Sequence, residues 1–357
     1  MKIVSAHAFA RNLKLSKPYE IARERIEDVE NVFLVLTLEN GITGIGAANP
    51  SPEVVGESPA ETLRNLQALE PWLRGKDIRY FNELIEETSR QYPSKPGTLA
   101  AVDIALHDAF GQFLDMPVVD FYGRQHTALP TSVTIGIMDL PHTLEEAAAY
   151  KKAGFRILKL KTGQDPELDA EKVIRLQELF GSYFTIRVDA NTGYTLSDLT
   201  RFLRLTRDHP VELIEQPLLP EEDHALDQLS AAERNILAAD ESLTGAASAF
   251  SLCRAGRYGI YNIKLMKCGG IQGAFKIAAV AEPAGASLFW GCNDESIVSI
   301  TAALHAAFAC RHTRYIDLDG SFDLAEDLVQ GGFVVKDGIM SIAPGSGLGV
   351  LRSIIDL

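Results

Sequence analysis

Apolar and polar residues alternate along the first fifty positions as they do in antiparallel strands. Lys2 to Leu15 and Asn31 to Ala48 carry the alternation, and Glu39-Asn40-Gly41 supplies a turn inside the second stretch. The period then lengthens. Ala101, Ile104, Ala105, His107, Asp108 and Ala109 recur at helical spacing and predict a helix over about Thr98 to Phe113. From Leu129 the rhythm becomes strand, loop, helix. Thr131-Ser-Val-Thr-Ile-Gly-Ile137 reads as a strand, Thr143 to Lys152 as a helix, and Arg156-Ile-Leu-Lys-Leu-Lys-Thr-Gly163 as the next strand. Eight strand candidates follow in this way, with a helical pattern in most gaps and an irregular last unit. The fold class expected is α/β: a (β/α)8-type barrel with an N-terminal α+β capping domain. The expected division is 1–125 for the cap, 126–323 for the barrel, and 324–357 for a C-terminal segment. That segment, with the hairpin pattern Gly331-Gly-Phe-Val-Val-Lys-Asp-Gly-Ile-Met-Ser-Ile342, is expected to return to the cap.

Composition narrows the classes. A chain of 357 residues with 46% apolar content suits a barrel plus a companion domain. A net charge of −14 without a basic stripe argues against a nucleic-acid partner. The longest N-terminal apolar run, Ile3 to Ala10, is interrupted by Ser5 and His7, so neither a signal peptide nor a membrane span is expected. Cys253, Cys268, Cys292 and Cys310 form no CxxC pair. They read as reduced thiols of a cytoplasmic protein, not as a disulfide framework or zinc site.

Chemistry enters at the strand ends. Five apolar runs each close on a charged residue: Lys161, Asp189, Glu215, Asp240 and Lys264, about 25 residues apart. A single such residue is as readily a helix cap. Five in register, signed plus, minus, minus, minus, plus, describe a catalytic face. Asp189, Glu215 and Asp240 would converge from adjacent strands. Oxygen-only ligation suits Mg2+, with Mn2+ as the other fit, and disfavours zinc. None of the eight histidines falls at a predicted strand end. Lys159 and Lys161 share one strand face, so both should point into the barrel. Their proximity should lower one pKa and leave an amine able to take a proton. Lys264 comes from four strands farther round. Two bases facing each other across a substrate carboxylate can remove an α proton from one face and return it on the other. A divalent cation on the carboxylate oxygens would stabilise the enediolate between the two steps.

These motifs together, KxK, VDAN, IEQP, ADES and IKLMKCGG, resemble those of the enolase superfamily, muconate-lactonising-enzyme subgroup, over nearly the whole chain. The resemblance implies Mg2+ on Asp189, Glu215 and Asp240. It implies Lys161 and Lys264 as the acid/base pair, with Lys159 supporting Lys161 and the substrate carboxylate. The subgroup's reactions differ. Asp317 and Asp319, in Tyr315-Ile-Asp-Leu-Asp-Gly320, share one face at the end of the eighth strand and could hold a free α-ammonium group. That DxD is similar to the one in dipeptide epimerases, which invert the α-carbon of a dipeptide's C-terminal residue. The alternatives are an L-Ala-D/L-Glu epimerase, an N-acylamino acid racemase, a muconate-type cycloisomerase and an o-succinylbenzoate synthase.

Side-chain preference is read from acids around the mouth. In Ala-Glu epimerases a basic residue of the mobile cap loop receives the Glu carboxylate. Here the matching position is Glu24, between Arg23 and Arg25. Asp294 and Glu295 end the seventh strand. Extra acids there favour a cationic dipeptide, with a Lys or Arg residue, by charge complementarity. Thr134, with Ile135, on the first barrel strand should line the pocket. Gly269-Gly270 reads as a tight strand-to-helix turn and not as a phosphate cradle. The partner expected is a small-molecule dipeptide, in a homo-oligomer without nucleic acid or membrane.

Overall fold

The computed structural model describes residues 1–21 and 24–352; for 17–21, 24–26 and 352 only the backbone course is described. The chain opens with a three-stranded antiparallel sheet in the order β1 (Ile3–Ile21), β2 (Glu24–Leu38) and β3 (Thr43–Ala48). The turn between β2 and β3 lies at the predicted Glu39-Asn40-Gly41. β1 runs past the predicted Leu15 because it keeps pairing with β2 after a register shift between Lys14 and Tyr19. The predicted central helix spans Pro96–Leu114 and is buried along most of its length. Gly44 and Gly46 of β3 let it approach. A Cβ at Gly46 would come within 2.0 Å of the Ala101 carbonyl oxygen.

Eight parallel strands follow β4 (Leu129–Pro130). They are β5 (Ser132–Ile135), β6 (Ile157–Lys161), β7 (Thr185–Asp189), β8 (Ile214–Glu215), β9 (Leu237–Ala239), β10 (Ile260–Ile263), β11 (Ser287–Trp290) and β12 (Thr313–Ile316). They pair in chain order, and a parallel bridge between Thr131 and Ile316 joins the two ends of the sheet. The result is a nearly closed barrel. Each strand is short and mostly buried, as in a parallel sheet covered by helices. Helices occupy most of the gaps. After β8 there is 3-10 structure over Pro220–Gln228 and a short helix, Ala231–Asn235. After β12 no helix follows among the described residues.

The C-terminal segment contains β13 (Val329–Gly331), β14 (Phe333–Lys336), β15 (Ile339–Ile342) and β16 (Val350–Arg352). β14 and β15 form the predicted hairpin, which pairs with β4. Farther on, Leu348 N donates to Asp108 Oδ1 of the cap helix at 2.9 Å, and Gly347 N donates to the Met116 carbonyl at 3.0 Å. A second joint between cap and barrel lies at Gly269-Gly270. Asp103 of the cap helix accepts from Ile271 N and Gln272 N at 2.8 and 3.0 Å. The helix N-terminus there is already capped by a carboxylate, as a structural turn would be. No helix among the described residues is long and apolar enough to cross a membrane.

Candidate active site

The C-terminal ends of β5 to β12 open into a cavity of about 1100 Å3, roofed by the cap segment 49–59. Lys159, Lys161, Asp240, Lys264, Asp317, Asp319, Thr134 and Asp294 all line it. Asp189 and Glu215 lie deeper, buried and paired side by side in register on β7 and β8. Because side chains alternate along a strand, the residue closing each strand on the inner face points to the same axis.

The lysines hold the acids. Lys161 Nζ donates to Asp189 Oδ2 at 2.7 Å and to Asn191 Oδ1 at 2.8 Å. Lys264 Nζ lies 2.9 Å from Asp240 Oδ2. Lys159 Nζ donates to Asp317 Oδ2 and sits 3.8 Å from Glu215 Oε2 and 3.9 Å from Asp189 Oδ2. Burial works against the Lys159 ammonium. The carboxylates of Asp317, Glu215 and Asp189 outweigh it and hold its pKa well above the ordinary value. The expected depression by a neighbouring lysine is therefore overturned at Lys159, since the acids facing it outnumber the ammonium groups. Lys264 is raised too: burial again opposes, and Asp240 and Glu215 prevail.

Among the described residues the three metal-candidate acids do not form a preassembled ligand shell. Lysine and amide groups hold their oxygens instead. Asn262 Nδ2 donates to Glu215 Oε1 at 2.6 Å. Lys267 Nζ donates to Asp240 Oδ1, to the Asp240 carbonyl at 2.6 Å and to the Asn262 carbonyl at 3.1 Å. Glu215 Oε2 is buried without a hydrogen-bond partner. Burial, followed by the Asp189 charge, pushes the Glu215 carboxyl up to about 8. An unpartnered carboxylate oxygen among oxygen donors on adjacent strands fits a hard divalent cation. The donor set therefore suits Mg2+.

At the other side of the mouth, both Asp317 oxygens are engaged: Oδ2 by Lys159, and Oδ1 by Ser132 Oγ at 2.6 Å. Asp319 Oδ2 accepts from Thr134 N at 2.8 Å. Burial and then Asp317 push the Asp319 carboxyl up to about 7. Glu295 departs from its expected place. It is buried outside the cavity lining, and its Oε1 accepts from Asn293 N at 2.7 Å, so it shapes its own loop. Asp294 does line the cavity. Glu24 and the neighbouring arginines have side chains outside the described residues. Trp290 is fully buried, with Nε1 donating to Thr313 Oγ1 at 2.9 Å.

Several residues of the site escaped the sequence reading. Asn262 lies two positions before Lys264 and Arg187 two before Asp189, so strand alternation alone places each pair on one face. Lys267 follows Lys264 by three, a helical spacing. Glu241 adjoins Asp240, and Asn191 Nδ2 donates to its Oε1 at 3.4 Å.

The chain matches the family model for the mandelate racemase / muconate lactonizing enzyme N-terminal domain over residues 3–123. It matches the enolase C-terminal domain-like model over residues 142–351. It is 50% identical over 355 residues to an L-Lys-D/L-Arg epimerase of Desulforapulum autotrophicum, covering 99% of this chain and 100% of that protein. The crystal structure of a dipeptide epimerase from Methylococcus capsulatus, complexed with Mg and the dipeptide L-Arg-D-Lys, superposes with a TM-score of 0.95. Identity is 44%, with 99% of this chain and 100% of that chain covered. A substrate-liganded L-Ala-D/L-Glu epimerase from Bacillus subtilis superposes with a TM-score of 0.92 at 28% identity, covering 99% and 100%.

Proposed function

The chain belongs to the mandelate racemase / muconate lactonizing enzyme family, and from that membership we propose a Mg2+-dependent dipeptide epimerase acting on cationic dipeptides. The observation that carries the proposal is the pair Lys161 and Lys264. They line one cavity from β6 and β10, strands separated by β7, β8 and β9. A dipeptide whose C-terminal α-carbon lies between them meets a base on each face.

Asp189, Glu215 and Asp240 would hold the cation. When bound, Mg2+ supplies positive charge to the substrate carboxylate, which makes the α proton more acidic. Lys161 takes that proton on one face, and Lys264 delivers one on the other; the roles exchange for the opposite epimer. Lys159, charged and buried, stabilises negative charge that grows on the carboxylate as the enediolate forms. Asp319, with Asp317 behind it, receives the substrate's α-ammonium group, and Thr134 keeps Asp319 in place. The same acids stand against a substrate whose amine is acylated.

The cationic preference rests on the charge of the mouth. Asp294, Asp319, Asp323 and Glu146 all line the cavity. The L-Lys-D/L-Arg epimerases of Desulforapulum autotrophicum and Methylococcus capsulatus, at 50% and 44% identity, support it. The cytoplasm suits the four unpaired cysteines and completes the proposal.

The test is incubation of L,L-dipeptide mixtures with enzyme and Mg2+ in deuterated water, read by mass spectrometry. Uptake of one deuterium confined to Lys- or Arg-containing dipeptides is expected. Uptake centred on Ala-Glu would sink the specificity, and uptake by none would sink the epimerase.

A further inference from the structure

The roof of the cavity belongs to the cap domain, and its attachment to the barrel is unusually specific. From β3 the chain passes through Asn49, Pro50 and Ser51 into a short helix, Pro52–Val55, over the mouth. Across from Asn49 lies the loop that follows β11, residues 291–296. Two bonds cross between them. Asn49 Nδ2 donates to the Asp294 carbonyl at 2.7 Å, and Asn293 Nδ2 donates to the Asn49 carbonyl at 2.9 Å. Each asparagine thus binds main chain on the other side with its amide nitrogen.

Both flanks are held by further hydrogen bonds. On the barrel side, Glu295 Oε1 accepts from Asn293 N, and Ser296 N donates to Asn31 Oδ1 of β2 at 3.1 Å. At the far end of the roof the buried Glu57 accepts from Gly97 N at 2.7 Å and Thr98 N at 3.0 Å. The near end of the roof is tied to the mouth through the asparagine pair and through Asn49 N, which donates to Met266 Sδ at 3.3 Å. The pair also holds the main chain of Asp294, whose side chain lines the cavity. Neither asparagine can exchange a proton in the working pH range, so neither suits acid–base work.

We propose that Asn49 and Asn293 are positioning residues: a reciprocal latch that docks the cap segment on the β11 loop and sets where Asp294 and the roof meet the dipeptide. The latch acts on substrate binding and not on proton transfer. This inference rests on the epimerase reading for its kinetic consequence, but not for its structural one.

The test uses the full chain with Mg2+, comparing wild type with Asn49→Ala, Asn293→Ala and the double variant. Deuterium uptake by L-Lys-L-Arg gives KM and kcat. Each single variant is expected to raise KM about tenfold, the scale of one lost hydrogen bond in a docked interface, with kcat within about twofold. The double variant should be little worse than the poorer single one, because the two bonds close one junction and breaking either loosens it. An unchanged KM, a fall in kcat alone, or KM effects that multiply in the double variant would overturn the latch. Should alanine at position 49 prevent folding, Asn49→Leu keeps the volume without the donor.

Amide hydrogen exchange of segments 50–56 and 291–296 needs no substrate. In a latch, either single variant speeds exchange in both segments. Faster exchange only on the mutated side overturns the latch even if wild type epimerises nothing. Wild type that takes up no deuterium overturns the epimerase reading alone.

Discussion

Two layers of the barrel interior, one residue pair apart along the strands, treat charge in opposite ways. In the lower layer Leu213, Ala238, Ile260, Phe289 and Tyr315 form a small apolar cluster. The charge there is Arg187, and its Nε and Nη1 are held by fixed partners. Its Nε donates to Glu212 Oε2 at 2.7 Å, and its Nη1 donates to Ser132 Oγ at 3.0 Å and to the Ile316 carbonyl at 2.8 Å. Its guanidinium carbon lies 5.5 and 5.2 Å from the centroids of Phe289 and Tyr315. In the upper layer the charges outnumber their fixed partners. Glu215 Oε2 has no hydrogen-bond partner, only the Lys159 ammonium at 3.8 Å, and Lys161 and Lys264 rest on acids that a cation would claim. A buried charge held by fixed protein partners is there for the fold. A buried charge left partly unsatisfied is there for something that arrives later.

The largest effect should come from the upper layer. Lys161→Ala and Lys264→Ala should each lower epimerisation by about 10^2- to 10^4-fold, the usual yield of a positioned acid or base. Each variant should still exchange the α proton of one epimer with solvent, and the two variants should keep opposite epimers. Proton NMR in deuterated water reads this directly. If either variant epimerised normally, the two-base reading of the mouth would be wrong.

Arg187→Met attacks the lower layer. It strands Glu212 and removes the donors to Ser132 and Ile316, and should cost about 3 kcal/mol in a urea melt. Glu215→Gln should behave in the opposite sense. The Glu215 carboxyl sits at about 8 in the folded protein, above its ordinary value. Its contribution to stability is therefore greatest below the unfolded value of about 4.5 and is lost as pH rises toward about 8. Metal-free Glu215→Gln should be at least as stable as wild type at neutral pH. Saturating Mg2+, at about a hundred times its Kd, should stabilise wild type by about 2.7 kcal/mol and the variant much less. Equal losses of stability in the two variants would erase the distinction between the layers.

The same contrast explains what the sequence made legible. A charged residue closing an apolar run is visible without coordinates, and so Lys161, Asp189, Glu215, Asp240 and Lys264 could be read in order. Their mutual arrangement was not. Alternation joins Lys159 to Lys161 and equally joins Asn262 to Lys264 and Arg187 to Asp189. The pKa of Lys159 depends on Asp317, 158 positions away on another strand. Asn49 and Asn293 are 244 positions apart, and nothing local marks them. Glu295 looked like a mouth acid because it follows Asp294, yet the loop turns it inward to cap Asn293. Periodicity locates elements and the faces of strands. Partners between distant elements come only from how those elements dock.

Outside both layers the rule can be tested on a neutral group. His305, on the helix Ile297–Ala309, is buried, and its Nδ1 accepts from Val119 N at 3.0 Å. Burial pushes its pKa down to about 3, the Leu348 backbone opposing and nearby Arg124 assisting. A histidine kept neutral in the fold contributes stability above its unfolded value of about 6.5, and that stability is lost as pH falls toward about 3. Between about pH 7 and pH 5.5 the loss should be about 1 kcal/mol. His305→Gln cannot take up the proton, so its urea midpoint should fall less than that of wild type over the same interval. Parallel falls would mean that His305 is protonated in the folded protein, and that burial away from the mouth does not by itself keep a group uncharged.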